Sequence, residues 1–322
     1  MFNAHSRSRW LSAACVPLLA GGVAALTTHR PWTSPVVASP VPVPPAPKPA
    51  TAPASKATLA ASTPSSSGAS RKAVASPAVA FRKQTVRGVP MNIVQIDPRR
   101  PEVRLAVATA GNGIGYRDDW SRMIERTGPA AAITGTYFCT TTSLPVGLIR
   151  VGGQNIYRGG IGTALAFTPG KGAEIRTCKP GIGYDWTGYE MVLRAGPRLV
   201  TDGKRTLFPE AEGFKDPAIY ARKARTAVAI TKSGKLLFVA VPRPVLLRTL
   251  ADALRDLGAK DAMCLDGGAS TGLYFGGKTQ VKPARPLTNL LVVYDALARY
   301  ERAVGRLNPT GPRVAQSGPG AS

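Results

Sequence analysis

Residues 244–271 read PVLLRTLADALRDLGAKDAMCLDGGAST. Leu247, Leu250, Ala251, Leu254 and Leu257 recur at helical spacing and Gly258 supplies a stop, so a helix is predicted over Pro244–Leu257. Ala262–Leu265 is then a short apolar run that ends at Asp266, followed at once by Gly267-Gly268. Such a run reads as a buried strand that delivers one carboxylate at its mouth. Glycine lets backbone N–H groups come close to an anion, and Ser270 and Thr271 add hydroxyl donors. A carboxylate beside a donor nest suits acid–base chemistry next to a phosphate. A strand-ending turn whose Asp bonds its own backbone is the structural alternative.

Outward from this stretch, strand signals outnumber helices. Val89, Met91, Ile93 and Ile96 suggest one strand; Val103, Leu105 and Val107 alternate as a second. The loop Gly111-Asn112-Gly113-Ile114-Gly115 lacks the third glycine of a dinucleotide fingerprint and reads as a connection. Asp118 or Asp119 can cap a short helix through Arg126, stopped by Gly128-Pro129. Further strands are expected over Ala130–Thr134, Pro145–Val151, Thr163–Thr168, Met191–Val200, Arg225–Thr231, Leu236–Val241 and Leu290–Tyr294, with a hairpin turn at Asp202-Gly203. Strands and helices do not alternate regularly. The expected fold is therefore α+β, with mixed, largely antiparallel sheets and a few packed helices in a single domain.

Four segments are expected along the chain. Residues 1–30 carry basic residues, then an apolar run from Trp10 to Leu26 closed by small residues, the layout of an export signal or an N-terminal membrane anchor. Residues 31–80 are dominated by Pro, Ala and Ser and read as a disordered linker. Residues 81–308 form the folded domain, and 309–322 a polar, disordered tail. An exported, secreted, periplasmic or envelope-associated protein is implied. Export makes Cys139 and Cys178 candidates for a disulfide, while Cys264 sits in an apolar strand as a buried thiol.

The formal charge of +24 predicts attraction to polyanions. The basic residues are scattered and do not interleave with aromatics, so no specific nucleic-acid surface is expected. The two histidines, His5 and His29, lie outside the folded segment, and no C-x-x-C pair occurs. That excludes Ser-His-Asp hydrolysis, histidine-linked phosphodiester cleavage and Cys/His zinc sites; no metal and no cofactor is called for. Hydrolysis would have to run on carboxylates, hydroxyls and Arg, and glycoside cleavage is the class that needs nothing else. Arg225, opening an apolar strand beside Thr226, can hold phosphate oxygens, and Arg198 is a second candidate for that task.

Several segments together resemble the phosphodiester glycosidase family, which includes the animal enzyme that uncovers mannose 6-phosphate by removing N-acetylglucosamine, and many bacterial exported proteins. The family's Asn-Gly-Gly/Thr-aromatic-Phe motif corresponds to Thr134-Gly135-Thr136-Tyr137-Phe138, followed by Pro145-Val146-Gly147. Gly196-Pro197-Arg198-Leu199-Val200, Arg225-Thr226-Ala227, Leu257-Gly258-Ala259, Leu265-Asp266-Gly267-Gly268-Ala269-Ser270 and Asn289 follow in the family's order, across about Ala130 to Tyr294. Thr134 replaces the usual Asn and Ala269 a glycine. The resemblance implies hydrolysis of a sugar-1-phosphodiester in a cell-envelope or exopolysaccharide substrate, with an anionic carbohydrate or sugar phosphate as partner. Asp266 and Arg225 would be catalytic, and Thr134, Gly135, Thr136, Arg198, Thr226, Gly267, Gly268 and Ser270 would bind substrate. A second carboxylate would come from Glu190, Glu210, Glu212 or Asp216. The alternative is a non-catalytic binder of anionic wall or exopolysaccharide polymer on the same fold.

Overall fold

The structure, a computed structural model, describes residues 76–309. The signal or anchor, most of the linker and the tail after residue 309 lie outside the described residues. In chain order the strands are β1 (Val79–Val86), β2 (Val89–Ile96), β3 (Arg104–Thr109), β4 (Ala131–Thr134), β5 (Gly147–Val151), β6 (Gln154–Gly160), β7 (Ala164–Thr168), β8 (Gly172–Arg176) and β9 (Met191–Arg194). They continue as β10 (Arg198–Thr201), β11 (Lys204–Arg205), β12 (Lys223–Thr231), β13 (Leu236–Val245), β14 (Ala259–Leu265), β15 (Leu273–Phe275), β16 (Lys278–Val281) and β17 (Asn289–Tyr294). The helices are α1 (Trp120–Thr127), α2 (Leu247–Asp256) and α3 (Leu297–Leu307).

These strands form three sheets: β1-β2-β13-β12-β14-β10-β11, β16-β15-β4-β17-β3 and β6-β5-β9-β7-β8. Every pairing named between them is antiparallel. The fold is α+β, as the irregular order of strands and helices implies. No helix among the described residues is long and apolar enough to cross a membrane.

The central strands β12, β13 and β14 of the large sheet are buried on both faces over most of their length, and their period-2 alternation sorts residues between two cores. Val228, Ile230, Phe238, Met263 and Leu265 face a core shared with the two smaller sheets. Ala227, Ala229, Val239, Ala262 and Cys264 face the opposite way, onto Leu247, Leu250 and Leu254 of α2. Small residues on that face let the helix lie close. Leu254 is fully buried, so Leu254→Ala is expected to lose about 2–4 kcal/mol, read as a shift in urea midpoint.

Local signals position most ends. Gly128 takes a left-handed conformation and closes α1 through its N–H to Ile124 O. Asp202 and Gly203 both have positive φ, at 47° and 73°, which is the geometry a two-residue hairpin needs between β10 and β11.

Four expectations change. First, α2 starts at Leu247, because β13 continues through Val245, which pairs with Lys223. Second, Met191–Val200 is two strands. Gly196, at φ +80°, and Pro197 turn the chain from β9 in one small sheet to β10 in the large one. Third, β1 begins at Val79, inside the stretch assigned to the linker, with Val79 opposite Ile96. Fourth, Cys178 is a buried free thiol, so no disulfide joins it to Cys139. Cys264 is buried, as its apolar neighbours imply.

Candidate active site

Two sheets converge on Asp266. In the large sheet β12 and β14 run side by side with Thr226 opposite Leu265, so Asp266 emerges next to Arg225. The Thr226 hydroxyl donates to Asp266 O. From the second sheet, the chain leaving β4 brings Gly135 O to accept the Asp266 N–H at 3.1 Å. Gly135 in turn lies against Asn289 so closely that a Cβ there would overlap the Asn289 carboxamide. Asn289 Oδ1 accepts from Thr136 N at 2.8 Å and its Nδ2 donates to Thr288 Oγ1 at 2.8 Å. The position of the carboxylate is thus fixed by main chain from both sheets.

After Asp266 the chain bends in a single turn of 3-10 helix, Gly268–Ser270, with Gly268 at φ +60°. A Cβ on Gly267 would come within 2.8 Å of Ala224 O, so this bend needs glycine to pass β12. Ala269 does not occupy a positive-φ position, which explains why alanine is accommodated there. The Ser270 and Thr271 amides close the turn onto Gly267 O and Gly268 O. They are not directed at an anion.

The cation that meets Asp266 is Arg285. Its Nη2 lies 3.2 Å from Asp266 Oδ2, and its Nε donates to Ser270 Oγ at 2.7 Å. The loop that carries it is held by Ala284 N donating to Ala269 O at 2.7 Å. The guanidinium lies over the Phe138 ring, 4.7 Å from its centroid. Asp266 is 5% exposed. Burial raises its carboxyl above the ordinary aspartate value, and the Arg285 charge opposes that rise without cancelling it.

These groups line a cavity of about 650 Å³. Its cationic wall is Lys215, Lys223, Arg225 and Arg285, its aromatic wall Tyr137, Phe138 and Phe214, and its carboxylates Asp266 and Asp216. Four basic side chains against two acidic ones favour an anionic occupant. Flat apolar rings give a sugar face something to stack on. Asp266, Arg225, Gly267 and Gly268 all line the cavity.

The remaining expected site residues stand behind the wall or elsewhere. Thr134 Oγ1 donates to Ser270 O and accepts from Gly272 N at 3.0 Å, joining β4 to the bend. Gly135, Thr136, Thr226 and Ser270 hold Asp266, Asn289 or Arg285 as described. The Thr136 hydroxyl is buried without a hydrogen-bond partner. Arg225 does not reach toward Asp266 as a phosphate clamp: its guanidinium donates to the carbonyls of Ile219, Ala221 and Val245. It pins the segment that walls the cavity. Arg198 does not line the cavity at all; it is buried against Asp261, Ile175 O and Val200 O. An arginine that opens a strand is fully used when irregular carbonyls lie nearby.

Of the four candidate second carboxylates, Asp216 alone lines the cavity, where it also accepts from Ala218 N at 2.8 Å. Glu212 is buried and does not line the cavity, accepting from Thr163 Oγ1 at 2.6 Å and Arg198 N at 2.7 Å. Glu190 lies near Arg104, and Glu210 is exposed beside Tyr220. Sequence reading missed Arg285; its one signal is its place four residues before Asn289, in a loop with no periodicity. Among the described residues, no group of three or more His, Cys, Asp or Glu is placed to hold a metal ion.

A buried acid facing an arginine in a cationic, aromatic-walled cleft suits an anionic ligand that also offers a flat apolar face. The chain belongs to the phosphodiester glycosidase family, whose model matches residues 127–294. Among solved structures it is similar to the catalytic domain of zebrafish N-acetylglucosamine-1-phosphodiester alpha-N-acetylglucosaminidase, described as auto-inhibited by its pro-peptide. The identity is 20% and the TM-score 0.57, over 69% of this chain and 85% of that one. A hypothetical protein from Synechocystis is similar at 17% identity and TM-score 0.55, over 67% of this chain but 61% of that longer one. At these identities the likeness concerns the fold. No curated protein sequence matches the chain significantly.

Proposed function

We propose that this protein is an exported glycosidase that hydrolyses a sugar-1-phosphodiester of a cell-envelope or exopolysaccharide substrate at the anomeric C–O bond. The observation that carries this reading is the buried Asp266 carboxyl within hydrogen-bond reach of Arg285 on the wall of a basic, aromatic cavity. Water adds its oxygen to C1 as the C1–O bond breaks, and the phosphate leaves as a monoester. Arg285 and the cavity lysines neutralise the departing phosphate. Asp266, which keeps its proton to higher pH than an ordinary aspartate, acts as the acid or orients the water. The apolar run Trp10–Leu26, with basic residues before it, supports export and leaves an N-terminal tether as the alternative to cleavage.

The test is turnover of N-acetylglucosamine-1-phosphate methyl diester by the full-length protein in ¹⁸O water. Label in the released sugar supports C–O cleavage; label in the phosphate, or saturable binding of wall polymer with no turnover, rejects it. Arg285→Ala is expected to lower kcat/KM about a hundred-fold, with partial recovery in Arg285→Lys, because a point charge replaces only part of the planar fork. Unchanged kinetics in Arg285→Ala would assign phosphate neutralisation to the lysines instead.

A further inference from the structure

Residues 207–222 run from β11 to β12 without a strand, carrying only the single 3-10 turns Glu210–Glu212 and Pro217–Ile219. They nevertheless supply the cavity with Gly213, Phe214, Lys215, Asp216, Ala218 and Ile219. Their backbone hydrogen bonds close mostly on the segment itself, as Gly213 N to Glu210 O and Phe214 N to Pro209 O do, both at 3.0 Å. Among the described residues one backbone bond leaves it, from Gly162 N to Glu212 O at 3.1 Å. A wall with no sheet pairing keeps one position only if side chains pin it.

Two buried side chains of opposite charge do so. Toward the end of the segment, Arg225 donates to Ile219 O and Ala221 O. Ahead of the wall stands Glu212, 4% exposed, with both carboxylate oxygens in use. Oε2 accepts from Thr163 Oγ1 at 2.6 Å and Oε1 from Arg198 N at 2.7 Å. Thr163 leads into β7 of a small sheet and Arg198 opens β10 of the large one, so Glu212 is tied to both. Burial pushes its carboxyl up, and the Thr163 hydroxyl and the Arg198 and Thr163 amides oppose that rise. The fit is tight: a Cβ on Gly196, in the turn between β9 and β10, would stand 2.9 Å from Glu212 Oε2. Gly213 follows at φ +94°, and then Phe214 and Lys215. Phe214 meets the Tyr137 ring edge-on, 5.3 Å between centroids, a contact that fills the wall but does not fix its register. Slack at Glu212 therefore passes straight to a ring and a cation of the site.

We propose that Glu212 is a positioning residue: it sets the cavity wall for ligand binding and takes no part in the chemistry. This rests on the glycosidase reading for the identity of the ligand alone. The experiment compares Glu212→Met, Glu212→Gln and Thr163→Val in the full-length protein. Methionine fills the space and accepts nothing, glutamine keeps one acceptor oxygen, and Thr163→Val deletes one donor while Glu212 stays. With N-acetylglucosamine-1-phosphate methyl diester, KM is expected to rise about ten-fold in Glu212→Met and about two- to three-fold in the other two, with kcat within about two-fold throughout. Limited trypsin digestion reads the wall without turnover. Cleavage after the exposed Lys215 should be about ten-fold faster in Glu212→Met and less so in Glu212→Gln, while cleavage after the exposed Lys232, between β12 and β13, keeps its wild-type rate. Wild-type KM in Glu212→Met overturns the proposal, as does a kcat that falls while KM holds. Faster cleavage at Lys215 and Lys232 together also overturns it, because that marks general unfolding. Should Glu212→Met fail to fold, Thr163→Val decides: wild-type KM and wild-type cleavage at Lys215 there overturn the proposal. A wild type that turns over no diester sinks the glycosidase reading instead, and the trypsin comparison still judges Glu212.

Discussion

Asp266→Asn is expected to lower kcat on a sugar-1-phosphodiester by about 10²–10⁴-fold, the range for removal of a group that transfers or directs a proton. The fold should survive, because Asp266 is anchored by its main chain: its N–H donates to Gly135 O and its carbonyl accepts from Thr226. Asparagine keeps the shape and can still accept from Arg285. The pH profile gives a sharper reading than the rate alone. Burial raises the Asp266 carboxyl, so if it works as an acid the activity falls as pH rises through that raised value. The asparagine variant should lack this limb. Stability follows the same sign. Between the ordinary aspartate value and the raised native one, the folded state holds the extra proton, so stability declines as pH climbs through that window. Thermal midpoints across pH should show a shallower decline in Asp266→Asn. A variant with wild-type kcat and pH profile would remove Asp266 from the mechanism.

Arg198→Met is expected to cost about 3–5 kcal/mol of folding stability, the range for breaking a buried ion pair by deleting one partner. Arg198 is 5% exposed. Its Nη1 donates to Ile175 O at 2.6 Å and its Nε to Val200 O at 2.9 Å, while Nη2 pairs with Asp261. Methionine fills the stem but leaves that carboxylate and two carbonyls without their donor. Urea denaturation should show the loss, with KM for the folded fraction unchanged. A raised KM at full stability would return Arg198 to the substrate site.

The contrast between these two positions shows how far the sequence was legible. Asp266 could be found because its signal is local: an apolar strand, a carboxylate and a glycine bend in immediate succession. The α2 stripe and the Asp202-Gly203 turn were readable for the same reason, each being a pattern within one element. Arg198 and Arg225 could not be assigned, because part of what each donates to lies far along the chain, Ile175 O and Asp261 for Arg198 and Val245 O for Arg225, and their near acceptors are carbonyls of irregular or bulged backbone with no sequence pattern. Arg285 was invisible for a related reason. Its loop has no period, and its role comes from Ala269, Ser270, Asp266 and Phe138 meeting around it. The edge strands β1 and β6 were missed because a polar, half-exposed edge does not show the apolar alternation that marks a strand.

The double anchoring of Asp266, to Gly135 from one sheet and Thr226 from another, has a bearing on how the molecule fails. A group held by a mobile loop can be lost while the body stays folded, so heat inactivates such enzymes before they melt. Here the acid cannot drift away unless the two sheets separate. Heat inactivation and melting should therefore share one midpoint, and the Asp266 amide should exchange its hydrogen only as slowly as the whole domain opens.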